Sequence, residues 1–428
     1  MFNIKNMDNL LILRNGDNYL LYNIEKHVSV LIDEISFLIV KLYIQNNMDL
    51  EKLLQNIPDI KKKHAKSLIC KLQDINMFNN EINDEILFEN HIPSQYYLHL
   101  TYRCNLNCSY CYNKDIRNNF IDMPIEEWEI IINKLNGYAK HVVLTGGEPF
   151  LYSNIGLLSQ MLHNNKIYVE IISNGMLDLC HKYDNVIGNI DRITFSCDNF
   201  NDKNQLRLGF CVETLIKNIN YIKKNFEKVK IAISSTLYKD NLIDQKKVAS
   251  YCIDNNIDFR SVLLVPNSPC EMKYLPSVKA YKESLSKGFY DITTKRVHCG
   301  AAVNVISIAP NGDVYPCQNL HYDEFKIGNI LNTSINTLMK NKVMKFFRKE
   351  LRVYNIKKCN KCDFKYICGG GCRAATYRLE NDILGHPSHM CSYYKENAIN
   401  RLYNYNKFDL EQIIDNKETI NQLLTNTL

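Results

Sequence analysis

No apolar run in this sequence approaches the ~18 residues that a membrane span needs, so a soluble chain with no membrane partner is expected. Met1 to Leu13 lacks the basic start, long apolar core and small-residue cleavage site of a signal peptide, which points to a cytoplasmic location. Strong charge of either sign is also missing: the formal net charge is +6 over 428 residues, with net −3 on residues 1–92 and the positive excess on the remainder. A small nucleic-acid-binding module would ordinarily be basic, so no nucleic-acid partner is expected.

Cysteine is not scarce. There are sixteen, and in a reducing compartment cysteines clustered at short spacings point to metal ligands before disulfides. Ten of them fall into two sets. Cys104, Cys108 and Cys111 lie on one short loop, in Thr-Tyr-Arg-Cys-Asn-Leu-Asn-Cys-Ser-Tyr-Cys-Tyr-Asn, directly after a strand-like segment. A cubane cluster has four corners usually held by thiolates, so a loop supplying three leaves one iron open. Cys299, Cys317, Cys359, Cys362, Cys368, Cys372 and Cys391 form the second set.

The length suggests two or three domains, at roughly 150 residues each. Residues 1–92 read as a module of three strands (Leu10 to Leu13, Tyr19 to Tyr22, Val28 to Ile32), with Asn15-Gly16-Asp17 as a hairpin turn. Three helices follow: Ile35 to Ile44, a second through Leu54 capped by Asp49, and Ile60 to Met77. This is a winged-helix-like order. Lys61, Lys62, Lys63 and Lys66 favour a DNA-binding version, against the module's acidic balance. From 93 to 290, strands Tyr96 to Thr101, His141 to Thr145, Lys166 to Ser173, Arg192 to Cys197, Lys228 to Thr236 and Phe259 to Val265 alternate with helical stretches. Six such units predict an α/β fold with a parallel sheet curled into a partial barrel, binding ligands at the strands' carboxyl ends. Residues 291–395 hold the second cysteine set, and 396–428 read as a helical tail.

The Cys-x3-Cys-x2-Cys loop, with Tyr110 before its last cysteine, resembles the signature of the radical S-adenosylmethionine (SAM) enzymes. Thr145-Gly146-Gly147-Glu148-Pro149 matches that family's GGEP motif, which implies that Glu148 holds the methionine amino group of the cofactor. The resemblance further assigns Ser196 to the ribose or carboxylate region of the cofactor and Arg207 to its carboxylate, while Asn174, closing the third strand, and Thr236, a weaker polar candidate ending the fifth, are placed there by position. It implies a (β/α)6 radical-SAM barrel, reductive cleavage of S-adenosyl-L-methionine and a 5'-deoxyadenosyl radical. The seven later cysteines resemble the SPASM domain, which implies two auxiliary 4Fe-4S clusters and three clusters in all. On that pattern Cys359, Cys362, Cys368 and Cys391 serve the distal cluster. Cys299, Cys317 and Cys372 serve the proximal one, whose fourth ligand is a substrate thiolate, water or a further cysteine such as Cys270. A structural zinc site at Cys359 to Cys372 is the plainer alternative.

The N-terminal module resembles the PqqD-like leader-recognition domain of peptide-modifying radical enzymes, where a precursor's leader adds a strand to the sheet edge. Sulfatase-type maturases differ at two positions: Val305 stands roughly where they carry an additional cysteine, and Gln318 where an aspartate follows Cys317. These features together imply a maturase of a ribosomally made peptide. The expected reaction is thioether (C–S) crosslinking of a cysteine-containing precursor, with reduced flavodoxin or ferredoxin as electron donor. Alternatives are sulfatase-maturase-like oxidation, C–C crosslinking, or an iron-sulfur redox-sensing DNA regulator. No residue is singled out as a catalytic acid or base.

Overall fold

The computed structural model describes residues 9–79, 91–114, 121–201, 206–285 and 295–404. Strands β1 (Leu10–Asn15), β2 (Asn18–Asn23) and β3 (Val28–Asp33) form an antiparallel meander. Gly16, at φ +61°, takes the left-handed conformation that the two-residue turn requires. Helices α1 (Glu34–Gln45), α2 (Leu50–Gln55) and α3 (Asp59–Asp74) follow. Asp33 and Asp49 cap the first two by accepting the Ser36 and Lys52 N–H groups at 2.8 and 3.1 Å. One face of the sheet, with Ile12, Tyr19, Leu21, Val30 and Ile32, packs on Val40, Ile44, Leu68 and Leu72 of the helices. The lysine run does not share one solvated face: Lys61 is buried while Lys63 and Lys66 are exposed.

From residue 95 strands and helices alternate: β4 (Gln95–Thr101), β5 (Asn107–Cys108), α4 (Ile125–Leu135), β6 (His141–Gly146), α5 (Ile155–Asn164) and β7 (Tyr168–Ser173). Then come α6 (Asp184–Ile187), β8 (Arg192–Ser196), β9 (Arg207–Leu208), α7 (Val212–Asn225), β10 (Lys230–Leu237), α8 (Leu242–Asp254) and β11 (Asp258–Leu263). Six of these strands pair in parallel in the order β11-β10-β8-β7-β6-β4. Side chains alternate across each strand. Leu98, Leu100, Leu144, Ile171, Phe195 and Ile233 join Trp128, Leu158 and Ile219 of the helices in the main core. By the same alternation Tyr97, His99, Thr145, Thr194, Ser196 and Thr236 fall on the opposite, more polar face. This is the parallel α/β sheet expected from the six-unit pattern.

The sheet does not stop at the sixth strand. After α9 (Val278–Ser284), β12 (Val305–Ile308) pairs in parallel with β4, and β13 (Asp313–Tyr315) and β14 (Gly328–Asn329) continue it antiparallel, giving nine strands. The expected cut at 290/291 therefore crosses a continuous sheet. The physical reason is the bare edge of β4, whose unpaired N–H and C=O groups β12 satisfies. Helices α10 (Ile335–Met339), α11 (Lys342–Lys349), α12 (Lys365–Cys368) and α13 (Arg373–Glu380) follow, with Cys368 ending α12 and Cys372 immediately preceding α13. Helix α14 (Cys391–Asn404) starts on the last cysteine and runs across the expected 395/396 boundary; residues 405–428 of the expected tail lie outside the described residues. No described helix is long and apolar enough to cross a membrane.

Candidate metal and cofactor site

The cysteine loop leaves the carboxyl end of β4 and is held there from three sides. Gly147 N–H donates to the Thr101 carbonyl and Glu148 N–H to the Arg103 carbonyl, both at 2.8 Å. Such close approach explains the glycine pair: a Cβ on Gly146 would overlap the Thr101 carbonyl oxygen, and one on Gly147 the Arg103 carbonyl oxygen. In this structure the two glycines approach protein backbone. From the next strand end, Asn174 Nδ2 donates to Asn105 Oδ1 at 2.7 Å and lies 3.7 Å from Cys104 Sγ. On the third side β9 pairs with β5, which carries Cys108.

Glu148 is fully buried. Its carboxylate accepts from Asn174 N–H at 2.8 Å, Ser173 Oγ at 2.9 Å and Phe150 N–H at 3.3 Å. Burial nevertheless pushes its pKa up to about 7, against these hydrogen bonds. Arg207 Nε lies 3.3 Å from Asp198 Oδ2, and its guanidinium sits over the Tyr110 ring at 5.6 Å and 3.9 Å from Cys108 Sγ. Asp198, fully buried, also accepts from the Tyr110 hydroxyl and, at 2.9 Å, from the Thr236 N–H. Arg207 was expected to face a cofactor carboxylate; here a protein carboxylate is its partner. Ser196 ends β8, half-buried, in register with Ser234. Reading the sequence missed Asp198, and it gave Tyr110 only as part of the cysteine-loop signature and not as Asp198's partner. Asp198 stands two positions past Ser196, and only the fold brings Tyr110, Arg207 and Thr236 to it.

By their mutual electrostatic influence the ten clustered thiols sort into three sets. Cys108 lies within electrostatic range of Cys104 and Cys111. Cys317 is within range of Cys299 and Cys372, and Cys299 of Cys372. Cys359 is within range of Cys362, Cys368 and Cys391, and the last also influences Cys362 and Cys368. Burial raises Cys108, Cys299, Cys362 and Cys368, and pushes Cys359 up to about 11 and Cys317 up to about 12. A bound cation would oppose that cost. Among the described residues no three His, Cys, Asp or Glu side chains form a group fit for a single metal ion. A cubane, with its ligands on separate irons, asks for a wider spacing than one ion does. The remaining cysteines stand apart: Cys197 and Cys252 are buried with their thiols held up by burial, and Cys270 is exposed on a 3-10 turn.

Local backbone explains the crossing between the two later groups. Gly369, Gly370 and Gly371 all have positive φ (64°, 80° and 74°), turning the chain sharply between Cys368 and Cys372. Arg373, buried, ties this turn down through the Gly370, Ile383 and Gly385 carbonyls. Arg378 then links the proximal group to the first loop. It donates to Asn319 O and Asn267 Oδ1, both at 2.9 Å, and Asn267 Nδ2 donates to Tyr110 O at 3.0 Å.

This arrangement is similar to that of radical SAM proteins that carry an iron-sulfur SPASM domain. Residues 98–244 match the Radical SAM superfamily and 299–363 the SPASM iron-sulfur cluster-binding domain. Among curated relatives, an S-adenosylmethionine-dependent nucleotide dehydratase of Selenomonas ruminantium is 30% identical over 118 residues, covering 27% of this chain and 42% of its own. The subtilosin biosynthesis protein AlbA of Bacillus subtilis is 25% identical over 304 residues, 63% of this chain and 65% of its own. The chain thus spans less than two thirds of these relatives' length. Two solved structures share the fold: anSMEcpe with bound AdoMet (TM-score 0.58, 20% identity, 73% of this chain, 99% of that one) and Streptococcus suis SuiB bound to precursor peptide SuiA (TM-score 0.53, 18% identity, 86% and 95%).

Proposed function

We propose that the chain cleaves S-adenosyl-L-methionine reductively and modifies a ribosomally made, cysteine-containing precursor peptide by thioether crosslinking. The observation that carries this reading is the grouping of ten thiols as three, three and four. Cys104, Cys108 and Cys111 would hold a 4Fe-4S cluster with an open iron; Cys359, Cys362, Cys368 and Cys391 would hold a complete distal cluster. Cys299, Cys317 and Cys372 would hold a proximal cluster that is one ligand short, open to a substrate thiolate. When bound, the first cluster and the cofactor supply a 5'-deoxyadenosyl radical able to take hydrogen from an unactivated carbon.

The chain's own residues do the positioning. Glu148, ionised, would accept the cofactor's ammonium beside the Asn174 N–H, and Gly146 and Gly147 keep that carboxylate tight against the cysteine loop. Arg207 bridges Asp198, the Tyr110 ring and Cys108, and its planar fork suits an anionic group of the cofactor. Asn174 and Ser196 sit at the strand ends that border the same space. Exposed Cys270 is not favoured as the proximal group's missing ligand.

Support for a peptide substrate comes from AlbA, a bacteriocin biosynthesis protein, and from SuiB, solved with its precursor peptide. The N-terminal meander supports it too: a leader could extend the sheet edge. Reduced flavodoxin or ferredoxin would supply the electron. The test is anaerobic reconstitution with iron, sulfide, cofactor and dithionite, plus any short cysteine-containing peptide found among the neighbouring reading frames. The expected product is lighter by two hydrogens per crosslink; cofactor cleavage with an unchanged peptide mass overturns the crosslinking reading.

A further inference from the structure

Strand β2 is apolar at four successive positions, Tyr19, Leu20, Leu21 and Tyr22, all buried. A strand of that kind is covered on both faces. Tyr19 and Leu21 face the module's own helices. Leu20 and Tyr22, with Leu11 and Ile24, instead share a core with Val353, Ile356, Cys359, Phe364, Tyr366 and Leu402 of the cluster domain. The N-terminal sheet is therefore seated directly on the loop that bears the distal thiols.

At the centre of this contact is a charge pair. Glu25, in the turn after β2, is 3% exposed. Its carboxylate accepts from Lys365 Nζ at 2.8 Å and from Tyr366 Oη at 3.2 Å. Lys365 and Tyr366 lie between Cys362 and Cys368, and the Lys365 ammonium also sits 4.9 Å from the Tyr366 ring centroid. Burying Glu25 without these partners would leave an uncompensated carboxylate, which is strongly unfavourable. Docking of the module thus requires residues 362–368 in the conformation that gathers the distal thiols. Linkage between two such equilibria is reciprocal.

We propose that the Glu25–Lys365 pair couples seating of the N-terminal module to integrity of the distal thiol group, so that the module is held in place only on a cluster domain whose distal loop is assembled. The proposal rests on the cluster reading above and deepens it: the distal group becomes a structural checkpoint for the module proposed to hold the substrate's leader.

The test uses the full chain, reconstituted anaerobically, with two readouts that need no peptide. Iron release to bathophenanthroline should be at least tenfold faster for about four irons in Glu25→Gln, while Leu53→Ala, which loosens the module's other core, releases iron at the wild-type rate. In the reverse direction, Cys368→Ser should lower amide-exchange protection across Leu20 to Tyr22 at least tenfold. Because coupling runs both ways, wild-type iron release in Glu25→Gln, or unchanged β2 protection in Cys368→Ser, overturns the proposal. A chain that loads no iron would strike the cluster reading alone, and the exchange experiment would still decide the coupling.

Discussion

At the residue scale, Glu148 shows what a motif reveals and what it hides. The Gly-Gly-Glu-Pro run marks the carboxylate, yet its pKa of about 7 comes from burial that only the fold supplies. Between the ordinary value of 4.5 and about 7, the folded chain keeps a proton that the unfolded chain has lost. Stability is therefore highest below that window and declines as pH rises through it, by about 3 kcal/mol. Glu148→Gln should remove this decline, measured as the wild-type-minus-variant difference in urea unfolding free energy at pH 5 and pH 8; parallel curves would show that Glu148 does not titrate there. Asp198 was silent in the sequence because its partners Tyr110 and Thr236 are distant along the chain and no local pattern turns the nearer Arg207 back onto it. Asp198→Asn leaves a largely buried guanidinium unpaired and should cost about 3 kcal/mol in the same assay, whereas a loss under ~0.5 kcal/mol would mean that Arg207 finds its charge partner elsewhere.

At the scale of elements, the three strands and three helices of the N-terminal module and the six barrel strands were legible, because each carries its own period and punctuation. The pairing of β12 with β4 was not. Val305–Ile308 is a short apolar run, and its partner Gln95–Leu98 lies about two hundred residues earlier; no local pattern records which edge a strand will cover. The glycine pair was legible as a site but not in its reason, since the carbonyls it must clear belong to another strand end. Gly147→Ala has no left-handed φ penalty and isolates that contact. Neither carbonyl nor sheet can yield cheaply, so a loss of about 2 kcal/mol or more is expected by denaturant unfolding. Iron content should fall with it, through the Cys104 loop. A variant that unfolds and loads like the wild type would mean that the β4 and β6 ends can part freely.

For the whole molecule, the continuous nine-stranded sheet and the Arg378–Asn267–Tyr110 link hold the first cysteine loop and the proximal thiol group in one frame. Such a frame suits two centres that must act on one substrate without moving relative to each other. Replacing thiols by group should then separate functions that replacement one at a time would blur. Alanine at Cys104, Cys108 and Cys111 should remove about four of the roughly twelve irons that the three proposed clusters would hold, and abolish cofactor cleavage. Alanine at Cys299, Cys317 and Cys372 should remove a similar share, yet leave cleavage of the cofactor in the absence of peptide. What that second variant should lose is the bond to sulfur: the peptide radical left by hydrogen abstraction would take an electron from dithionite and a proton from solvent, so the peptide returns without the two-hydrogen mass loss of a crosslink. Iron analysis, 5'-deoxyadenosine yield and peptide mass read the three outcomes separately. If the second variant still forms the crosslink, the proximal thiols serve electron transfer or stability, and the sulfur of the substrate is held elsewhere in the barrel.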